Sequence, residues 1–420
     1  MGLSVRSLDG RDVFTLMLGL LAVVKIRVVG TFSLSEFLLL AMYFTSSVYR
    51  WKRDRNCVKL FVFASLWLVG TVISDYVNQS DTIDALKGAF FIVMMMLLIP
   101  PIYSLLYDKP ERVLLYFVGT GISGLYSHFF AATDFIKETM ASDVYRFYAY
   151  AAFGSVFVYI FYFKGKKNLA IFIREVIAIL TLFHASRNYF LTTTIAAVLL
   201  LYINKIKGST QQRVISFRKK VPTLLVAGLI GVLMVDVVYE ELASSGVLGQ
   251  AAFDKYMTQK QTGNIVQGGR MATFMGIELI KQKPITGWGS YAKDTWGFMS
   301  NYYYQHNIDD ITSPELEYEL PAHSYIVGAW MQNGILGGVF WIFIIVLVWK
   351  IFKSGCLLHE PRILGMMMYL FVGLLWDWAF SPFGDRMRFL FIMLSMLVIY
   401  DYDQKGCYSN SSIIIKKLKI

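Results

Sequence analysis

The chain is dominated by hydrophobic segments that are interrupted at one place. Apolar runs follow one another from Val13 to Met234 and again from Val327 to Tyr402. A run of about twenty apolar residues is long enough to cross the hydrocarbon core of a bilayer as a helix. The interval between the two regions, residues 240–322, is too polar to cross a membrane. The sequence therefore predicts a membrane protein with one large polar loop, and we expect its chemistry at the face that carries this loop.

The composition agrees with this class. The residues are 56% hydrophobic and 16% charged, whereas soluble domains carry about 25% charged residues. The apolar runs are continuous and do not alternate, which argues against a transmembrane β-barrel. The net charge of +11 is interpreted as basic cytoplasmic loops and not as a nucleic-acid-binding surface. We predict an all-α polytopic membrane protein with about twelve transmembrane helices and the large loop between the ninth and the tenth.

The predicted helices divide the chain into three parts. Residues 1–239 hold helices one to nine, residues 240–322 form the loop, and residues 323–420 hold helices ten to twelve and a tail. The short intervals alternate between neutral or acidic ones and basic ones. The basic intervals are 50–55, 109–112, 164–167, 205–220, 350–362 and 416–419. Because Lys and Arg collect on the cytoplasmic side, this pattern places both termini in the cytoplasm and the long loop on the far side.

Three residues that could carry chemistry fall on this far side. Arg187 lies at the junction of the seventh and eighth predicted helices, Arg270 opens an amphipathic helix in the loop, and His323 closes the loop. Each alone is more often an interface anchor or a hydrogen-bonded surface residue, so the argument depends on the three together. Two guanidiniums can clamp a diphosphate, and histidine can accept a proton near neutral pH. The set suits attack of a hydroxyl on a carbon whose leaving group is pyrophosphate.

Further polar residues are expected to play accessory roles. Asp377 is a carboxylate near the outer end of the eleventh predicted helix, and such groups are functional candidates. It could instead pair with Arg386 or Arg388, and Arg386 is itself an accessory candidate. His184 lies one helical turn before Arg187 and could line the same cavity, although a packing role is the commoner one for such a residue.

Arg174 and Glu175 are adjacent charged residues inside the seventh predicted helix, where they could neutralise one another. The far side contains no cluster of His or Asp with the spacing of metal ligands, and the three cysteines do not cluster. Neither a metal nor another cofactor is therefore expected.

Three motifs resemble a known family. They are Ser186-Arg187, an R-x-x-x-F…K-P-x-x-G-x-G pattern from Arg270 to Gly289, and an H-S-Y…G-x-L-G-G pattern from His323 to Gly338. With the topology, they are similar to the O-antigen polymerase and O-antigen ligase superfamily of bacterial polysaccharide assembly. Many members have His-Asn where this chain has His323-Ser324. Tyr325, the third residue of the H-S-Y motif, is a further accessory candidate.

The resemblance implies a metal-independent glycosyltransferase of the bacterial inner membrane, with its active face in the periplasm. Its donor would be a glycan linked to undecaprenyl pyrophosphate, with Arg187 and Arg270 on the diphosphate and His323 at the acceptor. We prefer a polymerase that adds the growing chain to the next lipid-linked repeat unit. The alternative is a ligase that transfers the glycan to the lipid A core. The expected partners are these lipid-linked substrates, membrane lipid and, as an open possibility, a chain-length regulator, with no nucleic acid.

Two other function classes are weighed against this interpretation. About twelve spans also suit a transporter or a flippase for lipid-linked oligosaccharide. Such proteins usually have two related halves with binding residues near the midplane. This sequence shows no repeat, and its notable charges lie at one face. A non-catalytic scaffold is the third class, and no residue pattern favours it.

Overall fold

The computed structural model describes residues 8–27, 30–130, 143–182, 187–206, 208–250, 253–254, 256–257, 271–305 and 319–406, and within them the chain is almost entirely helical. The helices are α1 (Gly10–Leu21), α2 (Leu34–Leu40), α3 (Arg55–Asn78), α4 (Thr82–Tyr107), α5 (Arg112–Phe130), α6 (Asp143–Phe163), α7 (Lys167–Leu182), α8 (Arg187–Lys205), α9 (Thr210–Ser244), α10 (Met271–Gln282), α11 (Phe298–Gln305), α12 (Tyr325–Ser354), α13 (Leu364–Phe380) and α14 (Arg386–Gln404). Short 3₁₀ helices cover Ala41–Phe44, Ser46–Arg53 and Cys356–His359. Strands β1 (Lys25–Arg27) and β2 (Thr31–Ser33) form an antiparallel hairpin between α1 and α2.

The outer surface has the character of a membrane protein. Among the described residues, three helices are long and apolar enough to cross a membrane: Arg55–Asn78, Thr82–Tyr107 and Tyr325–Ser354. Apolar side chains on α3, including those of Val62, Val69 and Ile73, are exposed. Such a surface suits contact with lipid tails. The protein is therefore a helical membrane protein, whereas the number of about twelve spans stays a prediction. The same holds for the three-part division, whose first boundary falls inside α9.

Basic intervals from the described part of the chain lie together at one end of the helix bundle. Asp108, which follows α4, binds Arg11 at 2.6 Å and Arg50 at 2.7 Å. Arg362, which precedes α13, binds Glu111 at 3.4 Å beside the start of α5. We call this the basic end. Helices α12 and α14 begin at the opposite end, where α1 and α3 finish.

Side chains that bind the free amides of the first turn fix where several helices begin. Asp9 and Asp12 form a reciprocal capping box at α1, and Ser33 and Glu36 form another at α2. Such caps each stabilise a helix by about 1 kcal/mol. The second cap also holds the Glu36 carboxylate in a buried position next to the hairpin.

Helix α12 is interrupted by a backbone kink at Gly334, which has φ 67° and ψ −164°. The carbonyls that the kink frees are bound by a segment of the polar loop. Trp288 N donates to the Met331 carbonyl at 2.8 Å, and Gly289 N donates to the Gln332 carbonyl at 2.9 Å. The K-P-x-x-G-x-G motif therefore satisfies the backbone carbonyls just before the G-x-L-G-G motif, as a broken helix inside a membrane protein requires.

The same loop segment is attached to α3. Ser74 Oγ donates to the Gln332 carbonyl at 2.6 Å. The Asp75 carboxylate accepts the backbone amide of Ser290 at 2.6 Å and the Ser290 hydroxyl at 2.9 Å. Helix α3, the kink of α12 and the loop segment 285–290 thus form one hydrogen-bonded unit, and this unit is one wall of the cavity described next.

Candidate functional site

A cavity of about 870 Å³ lies at the end of the bundle opposite the basic end. Its wall is made by the end of α1, the hairpin, α2, α3, α4 and α5, by residues 319–324 of the loop, and by the starts of α12 and α14. We call it the main cavity. Its charged and titratable lining side chains include those of Lys25, Glu36, Glu319, His323, Asp385 and Arg386. The polar loop and the first turns of two helices therefore converge on one space large enough for a substrate.

His323 is an exposed residue on the wall of the main cavity. Its carbonyl accepts a hydrogen bond of 3.1 Å from Thr273 Oγ1, in the first turn of α10. The next residue, Ser324, is buried, caps α12 by accepting the amide of Val327 at 3.2 Å, and donates to the Trp378 carbonyl at 2.9 Å. The backbone of His323 is thus held between α10 and α12 while its side chain stays accessible.

Arg386 is buried beside the main cavity in an ion pair. Its Nε atom donates to Glu36 Oε1 at 2.5 Å, and its Nη2 atom donates to the Thr31 carbonyl at 3.0 Å. The guanidinium carbon lies 4.9 Å from the centre of the Phe91 ring. The two charged side chains are only 5% and 4% exposed, so each depends on the other for its charge compensation.

Asp377 pairs with Arg388, at 2.9 Å, which is one of the two pairings that the sequence left open. Its other oxygen accepts from Ser381 Oγ at 2.8 Å. Asp377 lines a second pocket and not the main cavity. Its predicted accessory role is therefore separated in space from that of Arg386.

Aromatic rings form part of the main cavity wall. Tyr325 is buried there, with its ring centre 4.8 Å from that of Trp341 and 4.9 Å from that of Phe383. Trp67 on α3 donates its indole N–H to Asn333 Oδ1 at 2.8 Å, which joins α3 to α12. Tyr325, an accessory candidate, thus shapes this wall.

Tyr291 and Glu319 are lining residues that the motifs did not point to. Burial, together with the nearby Glu319 carboxylate, raises the pKa of the Tyr291 phenol. The Lys87 ammonium lies 5.7 Å from the centre of the Tyr291 ring. The hydroxyl of Tyr291 therefore stays protonated around neutral pH and is available as a hydrogen-bond donor. The sequence contains no spacing or motif that identifies Tyr291 and Glu319 as cavity residues. They are recognised only because the fold places both on the cavity wall.

The predicted convergence of Arg187, Arg270 and His323 stays a prediction. Arg187 begins α8, but its side chain lies outside the described residues, as do Arg270 and His184 entirely. The two residues after Arg187, Asn188 and Tyr189, line a second pocket of about 520 Å³. This pocket and the main cavity share one lining residue, Thr120 on α5, so the two spaces are adjacent.

The chain matches the model of a protein family. No group of three or more His, Cys, Asp or Glu that could hold a metal ion occurs in the part of the chain that the structure describes. No curated protein matches the chain. Residues 169–342 match a family model described as O-antigen ligase, and this segment contains Arg187, Arg270 and His323. Over residues 169–342, the match supports the resemblance to the O-antigen polymerase and ligase superfamily.

Proposed function

We propose that this chain is a glycosyltransferase of the bacterial inner membrane that polymerises lipid-linked oligosaccharide repeat units at the periplasmic face. The donor is a glycan on undecaprenyl pyrophosphate, and the acceptor is the next lipid-linked unit. The observation that carries the proposal is the position of His323. It lies on the wall of a large cavity that charged and aromatic side chains line, within a segment that matches the O-antigen ligase family.

The charge distribution supports the proposed orientation. Basic loops are retained in the cytoplasm, so the basic end of the bundle faces the cytoplasm and both termini lie there. The main cavity is at the opposite end and then opens toward the periplasm. Lipid-linked repeat units would reach it from the outer leaflet of the inner membrane.

The proposed reaction is a single displacement at the anomeric carbon. His323 accepts the proton of the acceptor hydroxyl as its oxygen bonds to that carbon. The bond from the carbon to the pyrophosphate oxygen breaks, and Arg187 and Arg270 stabilise the charge of the leaving group. The anomeric configuration is inverted. The contact from Thr273 to His323 supports this arrangement, because Thr273 follows Arg270 by three positions in the sequence. The proposed step uses no metal or cofactor.

A ligase is the second candidate, because the matched family is described as O-antigen ligase and the match fits both activities. The donor and the roles of Arg187, Arg270 and His323 would be the same, but the acceptor would be a sugar of the lipid A core. The two activities differ in which acceptor enters the main cavity. They therefore differ in the products that accumulate when the protein is absent.

The deciding experiment is a glycan gel of a host that lacks this gene, with and without the gene restored. A polymerase defect leaves lipid A core capped with a single repeat unit. A ligase defect leaves bare core while lipid-linked polymer accumulates, which would overturn the preference for a polymerase. Restoration with His323→Ala should give no long chains at an unchanged protein level. Restoration with His359→Ala, a change at the basic end, should give the wild-type ladder. A wild-type ladder from His323→Ala would refute the assigned role of His323.

A further inference from the structure

The second pocket contains a buried arginine whose hydrogen-bonding capacity is not used. Arg174 is the eighth residue of α7, follows the apolar residues Ile171, Phe172 and Ile173, and is only 7% exposed. Its Nε and Nη1 atoms have no hydrogen-bond partner among the residues that the structure describes. A buried cation in an apolar helix is costly unless something compensates its charge. The position therefore calls for a partner that the described protein atoms do not supply.

Tyrosine rings surround this guanidinium. Its central carbon lies 4.9 Å from the ring centres of Tyr189 and Tyr369 and 5.9 Å from that of Tyr159. Ring faces attract a cation, but they do not replace the acceptors that its N–H groups need. The hydroxyl of Tyr369 also lacks a hydrogen-bond partner within the described part of the chain. The unsatisfied groups on the pocket wall are therefore two guanidinium donors and one hydroxyl that can donate.

A second guanidinium, that of Arg388, belongs to the same wall. It pairs with Asp377, so the lining side chains comprise two arginines and one carboxylate. Glu175 follows Arg174 in sequence, does not line the pocket, and binds the Thr194 hydroxyl at 3.0 Å. The carboxylate of Glu175 offsets part of the Arg174 charge, but it does not line the pocket. The space itself presents excess positive charge and excess donors.

We propose that the second pocket binds a phosphate group carried by a polyprenyl lipid. Phosphate oxygens are anionic acceptors, so they match a wall of guanidinium and hydroxyl donors. A volume of about 520 Å³ accommodates such a group with part of its substituents. The pocket adjoins the main cavity at Thr120, so a phosphate bound here lies next to the cavity that His323 lines. This assignment rests on the proposed function for the identity of the lipid, and it adds Arg174, Tyr369 and Arg388 as binding residues.

Equilibrium binding to the purified full-length protein in lipid nanodiscs tests the proposal. The probes are geranylgeranyl diphosphate, inorganic pyrophosphate and geranylgeraniol. We expect geranylgeranyl diphosphate to bind most tightly and geranylgeraniol to bind at least tenfold more weakly. Arg174→Gln should weaken diphosphate binding about tenfold to a hundredfold, since a hydrogen bond to a charged group contributes about 1.5–3 kcal/mol. Arg218→Gln, at the basic end, should leave the affinity unchanged.

Two further variants distinguish a loss of binding from a loss of folding in Arg174→Gln. Tyr369→Phe removes one hydroxyl and keeps the ring, and Arg174→Lys keeps the charge and loses the planar fork of donors. Weaker diphosphate binding by these variants at an unchanged melting temperature supports the pocket. Wild-type affinity in all three variants overturns it. Equal affinity for pyrophosphate and geranylgeranyl diphosphate overturns the assignment to a lipid.

The binding assay needs no turnover, so it separates this inference from the proposed function. If the gene proves dispensable for glycan assembly while binding still depends on Arg174, the pocket stands and the glycosyltransferase proposal fails. If glycan assembly requires the protein but the pocket variants bind normally, only the present inference fails.

Discussion

The backbones of Gly287 and Gly334 are in direct contact. A Cβ atom added to Gly287 would lie 2.5 Å from the Gly334 nitrogen and 2.7 Å from the Gln332 carbonyl oxygen. Both glycines have positive φ angles, of 72° and 67°. The loop motif and the helix motif are therefore in van der Waals contact through their backbones. Neither glycine has room for a side chain.

Gly287→Ala should consequently destabilise the protein strongly. Placing a residue with a side chain at this φ costs about 1–2 kcal/mol, and the contact with α12 adds to that. The measurement is the melting temperature of the purified protein in detergent. Gly10→Ala is the matched control, because Gly10 has an ordinary φ and nothing within 4 Å of the added Cβ. Equal melting temperatures for the two variants would show that the contact between the motifs is not needed for stability.

The pair of Arg386 and Glu36 predicts strong coupling between the hairpin region and α14. Removing one partner leaves a buried charge without compensation, which costs about 3–5 kcal/mol. Arg386→Met and Glu36→Gln should each be destabilised by an amount in this range. The double variant should recover part of the loss, because neither charge is then left alone. Denaturation of all four proteins measures the coupling, and additive losses would contradict a direct dependence of one charge on the other.

The sequence predicts the class of the protein because run length and charge asymmetry are local properties. The long apolar helices α3, α4 and α12 follow from composition alone, and the grouping of basic intervals at one end follows from their alternation. The position of His323 at the end of the polar loop, just before an apolar helix, could be predicted, whereas its place on the wall of the main cavity could not. The match to the O-antigen ligase family agrees with the motifs that surround it.

Long-range pairing between distant segments could not be predicted in this way. Gly287 and Gly334 are brought together by backbone hydrogen bonds that leave no periodic signal. The sequence offered Arg386 and Arg388 as equal partners for Asp377, and only the geometry of α14 selects Arg388. The tyrosines that surround Arg174, Tyr159, Tyr189 and Tyr369, lie on three other helices, and no local pattern in the sequence shows that they meet there.

Asp75 is predicted to hold the loop segment against α3. Asp75→Ala would leave the amide and the hydroxyl of Ser290 without their acceptor, at a cost of about 1–3 kcal/mol. Hydrogen exchange measured by mass spectrometry should then become faster in residues 285–291. Asp84→Ala is the control, since Asp84 forms a partly exposed pair with Lys87 that contributes at most about 1 kcal/mol. Unchanged exchange in the Asp75 variant would mean that other contacts suffice to order the segment.

Ser324 is predicted to position His323 through the start of α12. Its hydroxyl caps the helix, and asparagine is an equally good capping residue, which agrees with the His-Asn pattern of many superfamily members. Ser324→Ala should lower stability by about 1 kcal/mol and reduce the amount of long-chain glycan, while Ser324→Asn should retain both. Protein level, melting temperature and the glycan ladder are compared for the two variants. A normal ladder from Ser324→Ala would show that His323 needs no cap to act. Loss of the ladder in Ser324→Asn at normal stability would mean that the hydroxyl itself takes part at the site.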